Sequence, residues 1–246
     1  MSLLVIDIGN TRTKWAFAGD DGNLTELEVC MNADIAASNL SAAARKAERA
    51  LISNVAGDAM AQQVTQLLAP LPAEFITVSK QVCGVTNNLY PALGTDRWAA
   101  LIAVRHRVKQ AVLVVNAGTA ITMDALTEKG VFLGGTIMPG LHLMHTSLNE
   151  HAVQVNIHAG AGGALLAIFP NNTQDAAQAG CLNAVAGAIH LMLKRLEKHS
   201  GWLPKLVISG GDASKIAEAL KPELKQVMMM EYLVLQGLAL LGKESK

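Results

Sequence analysis

Short apolar runs broken by a polar corner recur along this chain, and two of them match. Residues 3–6 read Leu-Leu-Val-Ile, the corner Asp7-Ile8-Gly9 follows, and residues 14–18 return to an apolar stretch. Residues 112–115 read Val-Leu-Val-Val, the corner is Asn116-Ala117-Gly118, and residues 120–126 are again largely apolar. A buried-type run, a tight polar turn and a return strand predict a β-hairpin. The stretch LLVIDIGNTRTKWAFA thus reappears in degenerate form as VLVVNAGTAITMDAL, which predicts a duplicated α/β chain with halves 1–110 and 111–246.

Elsewhere strands alternate with helical periods, as α/β architectures require. Residues 26–31 read as a third strand and the Ala-, Arg- and Lys-rich 41–50 as a helix with Ser41 as its N-cap. A short strand is expected at 51–55, a helix at 58–68 ended by Pro70 and Pro72, and a strand at 75–78. Trp98, Leu101, Ile102 and Val108 recur near the helical period over 96–108. The second half continues with a strand at 131–138, a helix starting at Pro139-Gly140 and running toward Leu148, and a long Ala/Leu helix over 174–199. A strand at 206–209 turns through Gly210-Gly211-Asp212 into a helix at 213–220, and a last helix covers 231–241. The Gly/Ala-rich stretch 160–170 fits no element cleanly.

Composition narrows the function classes. Hydrophobic residues are 51% of the 246 and charged residues 16%, which excludes a disordered chain. Formal net charge is zero, so nothing draws the chain as a whole to nucleic acid or to an anionic membrane. Cys30, Cys83 and Cys181 are isolated and odd in number, which fits a reducing cytoplasm. No unbroken apolar run is long enough to cross a bilayer, and no basic segment precedes the first run, so neither a membrane span nor a signal peptide is expected. The apolar excess is expected in a core and a subunit interface.

Four segments carry candidate chemistry. In Asp7-Ile8-Gly9-Asn10-Thr11-Arg12-Thr13-Lys14, Gly9 permits a tight turn and close backbone approach. Asn10, Thr11, Thr13 and Lys14 offer donors to phosphate oxygens, and Asp7 can hold magnesium directly or through water. The second corner repeats the pattern with Gly118 and Thr119, and Asp124 falls in an apolar strand, where a carboxylate needs a partner. In Leu93-Gly94-Thr95-Asp96-Arg97-Trp98, Asp96 reads either as a helix cap or as a proton acceptor beside Arg97, a clamp for a carboxylate. The turn Gly210-Gly211 forms a shelf for an adenine or ribose. His142 and His145 can share a helix face, but the spacing of His142, His145 and His151 offers no metal-ligand pattern.

Taken together and in this order, DIGNTRTKW, LGTDRWAAL, NAGTAITMD and ISGGDA resemble the motifs of the type III pantothenate kinases. The resemblance covers essentially the whole chain. It implies duplicated actin-like (ribonuclease H-like) domains, mixed sheets flanked by helices, and ATP-dependent phosphorylation of pantothenate in coenzyme A biosynthesis. It implies that Asp7 to Lys14, Thr119, Gly210 and Gly211 bind ATP. Asp96 is then the base, and Tyr90, Gly94, Thr95, Asp96 and Arg97 hold pantothenate. It further implies Mg2+, a monovalent cation (K+ or NH4+), and a homodimer in which Thr173 of a neighbouring subunit reaches the substrate, with no nucleic-acid or membrane partner. The family's cation-binding Asp is Asn116 here, which keeps a carbonyl ligand and loses the charge. Other small kinases or phosphohydrolases of the superfamily, and a non-catalytic nucleotide-binding relative, are the alternatives.

Overall fold

The computed structural model describes residues 2–19, 23–88, 93–152, 169–221, 224 and 227–244. In chain order the elements are β1 (Leu3–Ile8), β2 (Arg12–Ala18), β3 (Leu24–Met31), a 3-10 turn (Asn32–Ala37), α1 (Leu40–Ala44), β4 (Arg49–Asn54), α2 (Asp58–Leu68), β5 (Ala73–Phe75), β6 (Gln81–Val82) and β7 (Val85–Asn87). They continue with α3 (Thr95–Arg107), β8 (Val112–Ala117), β9 (Ala120–Leu126), β10 (Val131–Pro139), α4 (Leu141–His151), α5 (Thr173–Ser200), β11 (Lys205–Ser209), α6 (Ala213–Leu220), β12 (Val227–Met229) and α7 (Leu233–Glu244).

Two compact units result. Unit 1 comprises Met1–Ala111, Leu126–Gly134 and Glu231–Lys246; unit 2 comprises Val112–Ala125 and Gly135–Met230. The C-terminal helix α7 therefore belongs to unit 1.

Unit 1 is built on a mixed five-stranded sheet, ordered β3-β2-β1-β4-β5, with β1 antiparallel to β2 and parallel to β4. Strand β1 is buried along its length, as a central strand must be. Its side chains alternate between two cores. Leu4, Ile6 and Ile8 join Trp15, Ile35, Leu40, Ile52, Val64 and Leu68 on one face, beneath α1 and α2. Leu3 and Val5 join Ala16, Leu51, Ala99, Leu235 and Leu238 on the other, beneath α3 and α7. Asp7 continues the second series, so period two carries it to the end of the α3 face. Gly237 meets the backbone of Ala99 so closely that a Cβ there would collide with it, which makes α3 against α7 a glycine-dependent helix contact. A smaller ribbon pairs β7 antiparallel with β6 and parallel with the start of β10, through Thr86↔Val131 and Asn87↔Phe132.

In unit 2 the strands run in the order β12-β11-β8-β9-β10, with β11 parallel to both β12 and β8. Helix α6 packs on β11 and β12, and α5 packs against α4, α6 and β8.

The local expectations hold for most elements, with instructive shifts. The helix expected over 41–50 closes at Ala44 and starts at Leu40 after Asn39, not after a Ser41 cap. Residues 45–48 form a turn, and parallel pairing of Leu3 with Arg49 and Leu4 with Ala50 claims Arg49 and Ala50 for β4, a tertiary override of helix propensity. The strand expected at 75–78 lies at Ala73–Phe75. Among the described residues α5 is the one helix long and apolar enough to cross a membrane, and it has no unbroken apolar run of that length. By length and composition alone it qualifies, with an 18-residue window of mean hydropathy 1.4 of which 28% is buried. Isolated polar residues break its runs without lowering the average. The stretch 160–170 lies largely outside the described residues.

Candidate functional site

The C-terminal ends of β1 and β4 carry the polar residues of unit 1. Register sets Asp7 opposite Lys14 on β2 and opposite Ser53 on β4, so the three form a row across the sheet. Lys14 Nζ donates to Asp7 Oδ2 at 3.2 Å, and the Asp7 carboxylate is 7% exposed against 35% for the Lys14 side chain. Burial pushes the Asp7 carboxyl above its ordinary range; Lys14 pulls it down and the charge of Asp96 pushes it up again. Ser53, fully buried, shares a hydrogen bond with Thr95 at 3.0 Å, so β4 holds the first residue of α3.

Asp96 sits in the first turn of α3, where a carboxylate is favoured by the exposed amides of the helix start. It is not the cap. Gly94 takes that position, and Asp96 Oδ1 instead accepts from the Arg97 amide at 2.8 Å. The carboxylate folds back over Gly94 so closely that a Cβ there would strike it. Arg97 lies with its guanidinium carbon 6.0 Å from the ring centre of Phe132, at the edge of cation–π range. Asp7, Lys14, Thr95 and Asp96 thus come together in unit 1, with Ser53 as a member that motif reading missed.

The residues of the first hairpin tip differ in exposure. Gly9 donates its amide to the Arg12 carbonyl at 3.1 Å, closing a turn over Asn10 and Thr11. Asn10 and Arg12 are exposed and Thr11 partly so. Thr13, however, is fully buried, and its hydroxyl donates to Asn32 Oδ1 at 2.8 Å. It shares strand parity with Trp15, which turns it inward. Ile8 is also fully buried, and its carbonyl takes the Val55 amide at 3.0 Å, so neither its side chain nor its carbonyl is offered to a ligand. Tyr90 lies outside the described residues.

In unit 2 the second tip exposes Gly118 and Thr119, with the Gly118 amide bonded to the Ala120 carbonyl at 3.1 Å. Two helix starts converge on it. Gly140, which caps α4, donates to the Thr119 carbonyl at 3.0 Å, and a Cβ there would collide with the backbone of Gly118 and Thr119. Gly210, at φ +102°, packs as closely on Ala117, and the Asp212 amide reaches the Ala117 carbonyl at 3.2 Å. Asn116 is partly buried at the end of β8, opposite Ser209. Asp124 is buried at 1% exposure. Gly211 is exposed beside Gly210.

Thr173 opens α5 and is exposed, while Asn172 caps the helix by accepting the Asp175 amide at 2.9 Å. His142, His145 and His151 lie on α4; burial, Lys215 and His142 hold the His145 imidazole below its ordinary range, against the pull of Asp212. Among the described residues no three His, Cys, Asp or Glu side chains gather as a metal cage. A hydrated magnesium ion carried by a polyphosphate, needing one or two carboxylates, suits the buried Asp7 better than a dedicated cage would.

A family model for type III pantothenate kinases matches residues 3–195. A type III pantothenate kinase of Nitrosospira multiformis is 38% identical, covering 99% of this chain and 92% of its own. Among solved structures, a Campylobacter jejuni chain assigned to the Baf family of transcriptional activators superposes with a TM-score of 0.66 at 21% identity, covering 98% of both chains. The activator of the 2-hydroxyisocaproyl-CoA dehydratase from Clostridium difficile superposes with a TM-score of 0.58 at 13% identity, covering 100% and 97%. At such identities these likenesses speak for an actin-like fold and no more.

Proposed function

The chain belongs to the type III pantothenate kinases, and from that premise we propose how its residues divide the work of moving a phosphoryl group from ATP to pantothenate. The observation that carries the reading is the row Lys14–Asp7–Ser53, joined by Thr95 and Asp96 where two parallel strands end. Phosphoryl transfer needs little covalent help from the protein; positioning and charge neutralisation dominate. Asp96 accepts the proton of the primary hydroxyl of pantothenate. Arg97 clamps the pantothenate carboxylate, and Gly94, Thr95 and Tyr90 complete its site.

Asn10, Thr11, Arg12 and Lys14 of the first hairpin bind the ATP phosphates, and Thr119 is likewise a residue for ATP. Gly210 and Gly211 offer the adenosine a surface free of side chains. Asp7 holds Mg2+, directly or through water, and when bound this ion neutralises polyphosphate charge. Asn116 offers a carbonyl oxygen to K+ or NH4+.

The enzyme works as a homodimer in the cytoplasm, with Thr173 of one copy serving the other. Two features of unit 2 support this. Gly180, Ala184, Gly187 and Leu191 form an exposed small and apolar stripe on α5. Beside it Leu143, Met144 and Leu148 of α4 line a largely apolar cavity of about 440 Å³ with Ala177, Cys181 and Ala184.

Asn116 favours one competing reading, a regulatory relative that binds nucleotide without turnover; the presence of Asp7, Asp96 and Arg97 together favours catalysis. A coupled assay of ADP release with ATP and pantothenate, with and without potassium, decides. Turnover in either condition is expected; its absence from both removes the proposal.

A further inference from the structure

We infer that Asn32 is a positioning residue for ATP, setting the first hairpin tip so that its outer amides face the polyphosphate. The inference rests on the reading of that hairpin as a phosphate grip. Asn32 lies outside every motif, at the start of the turn that follows β3.

It nevertheless makes three bonds to the tip. Its Nδ2 donates to the Gly9 carbonyl at 2.8 Å, its backbone amide donates to the Thr11 carbonyl at 3.0 Å, and its Oδ1 accepts from the Thr13 hydroxyl at 2.8 Å. One side chain and its amide therefore tie residues on both sides of the turn.

Peptide planarity gives this clamp a direction. The Gly9 carbonyl and the Asn10 amide belong to one trans peptide unit and point opposite ways; so do the Thr11 carbonyl and the Arg12 amide. Holding both carbonyls toward Asn32 turns both amides away from it. A tip without this clamp has to pay conformational entropy each time it arranges those amides around an anion. The Gly9 amide is already committed to Arg12, so the orientation of the remaining amides decides what the turn can offer.

An amide suits the task better than an acid. Nδ2 donates while Oδ1 accepts, and the site needs one of each. A carboxylate in its place retains the acceptor for Thr13 but sets an anionic oxygen against the Gly9 carbonyl, close to where phosphate charge would gather.

The test compares the full-length chain with Asn32→Ala and Asn32→Asp, reading steady-state ATP and pantothenate dependence, binding of a non-hydrolysable ATP analogue by calorimetry, and thermal unfolding. We expect both variants to fold and the KM for ATP to rise by about tenfold or more. Analogue affinity should fall in parallel, with Asn32→Asp at least as impaired as Asn32→Ala. The KM for pantothenate should stay within about twofold of wild type. Wild-type ATP dependence in both variants, alongside a wild type that turns over, overturns the role of Asn32 and leaves the kinase reading standing. Equal loss toward both substrates together with a large fall in Tm also overturns it, because that marks a general brace. A wild type without turnover fails the kinase reading, and analogue binding to the three proteins then decides the clamp on its own.

Discussion

Gly237→Ala tests whether the contact between α3 and α7 sets the pantothenate site. In an exposed helix this change stabilises by about 1 kcal/mol, because Ala is the better helix former. At Gly237 the new Cβ meets the carbonyl oxygen, carbonyl carbon and Cα of Ala99. These are backbone atoms, so no rotamer change relieves the collision and the helices must part. A gap of roughly 1 Å forfeits a quarter to a half of each dispersion contact along the seam, where Leu235 and Leu238 are fully buried. Overpacking of this kind costs about 1–3 kcal/mol, and main-chain contact places it near the upper end, so the clash outweighs the propensity gain. For a chain of this length, a net loss of about 2 kcal/mol lowers Tm by roughly 4–8 °C. Ala99 is one helical turn from Thr95, so the same displacement moves Asp96. We therefore expect a fall in kcat and a rise in the KM for pantothenate alongside the loss of Tm. Calorimetry and the coupled assay read both effects. An unchanged or higher Tm with wild-type kinetics would refute the reasoning.

Asp96→Asn should lower kcat by about 10²–10⁴ if this group takes the proton; a wild-type rate at saturating substrates assigns Asp96 to helix-start electrostatics alone. Asp7→Asn should abolish efficient ATP use while leaving the protein as stable or more stable at pH 7. Its folded carboxyl is raised above the ordinary 3.8, so the folded state holds that proton more tightly, and stability falls as pH climbs from 3.8 through the raised value. The Tm difference between variant and wild type should vanish below about pH 3.8, and a variant several degrees less stable at neutral pH contradicts the sign. Asn116→Asp should strengthen the dependence of rate on potassium, and a flat potassium titration discards Asn116 as the cation position. Ala184→Glu, on the exposed stripe of α5, should halve the mass seen by light scattering and reduce turnover with it; a wild type already monomeric rules out the dimer.

The two hairpins were legible because both signals are local. An unbroken apolar run and a polar glycine corner lie within one short window, and the observed β1–β2 and β8–β9 follow them. Helix α6 matches its expected bounds for the same reason, following directly on a double glycine and Asp212. What sequence reading missed depends on distant pairing. Ser53 reaches Asp7 only through the parallel register of β1 and β4, and Thr95 lies 42 residues further on. Asn32 meets Gly9 and Thr13 from 23 and 19 residues away. Thr13 is a different case. Its parity with Trp15 was available and argues for an inward side chain, but the density of polar residues around it obscured the alternation.

The membership of α7 in unit 1 bears on how the chain is made. Leu3, Val5 and Leu51 are synthesised well before Leu235 and Leu238, which cover them. At bacterial or eukaryotic elongation speeds the interval is on the order of ten to fifty seconds. Throughout it, one flank of the nascent sheet stays bare and sticky, so this half of the molecule matures only once α7 has been made and depends meanwhile on whatever shields greasy surfaces in the cell.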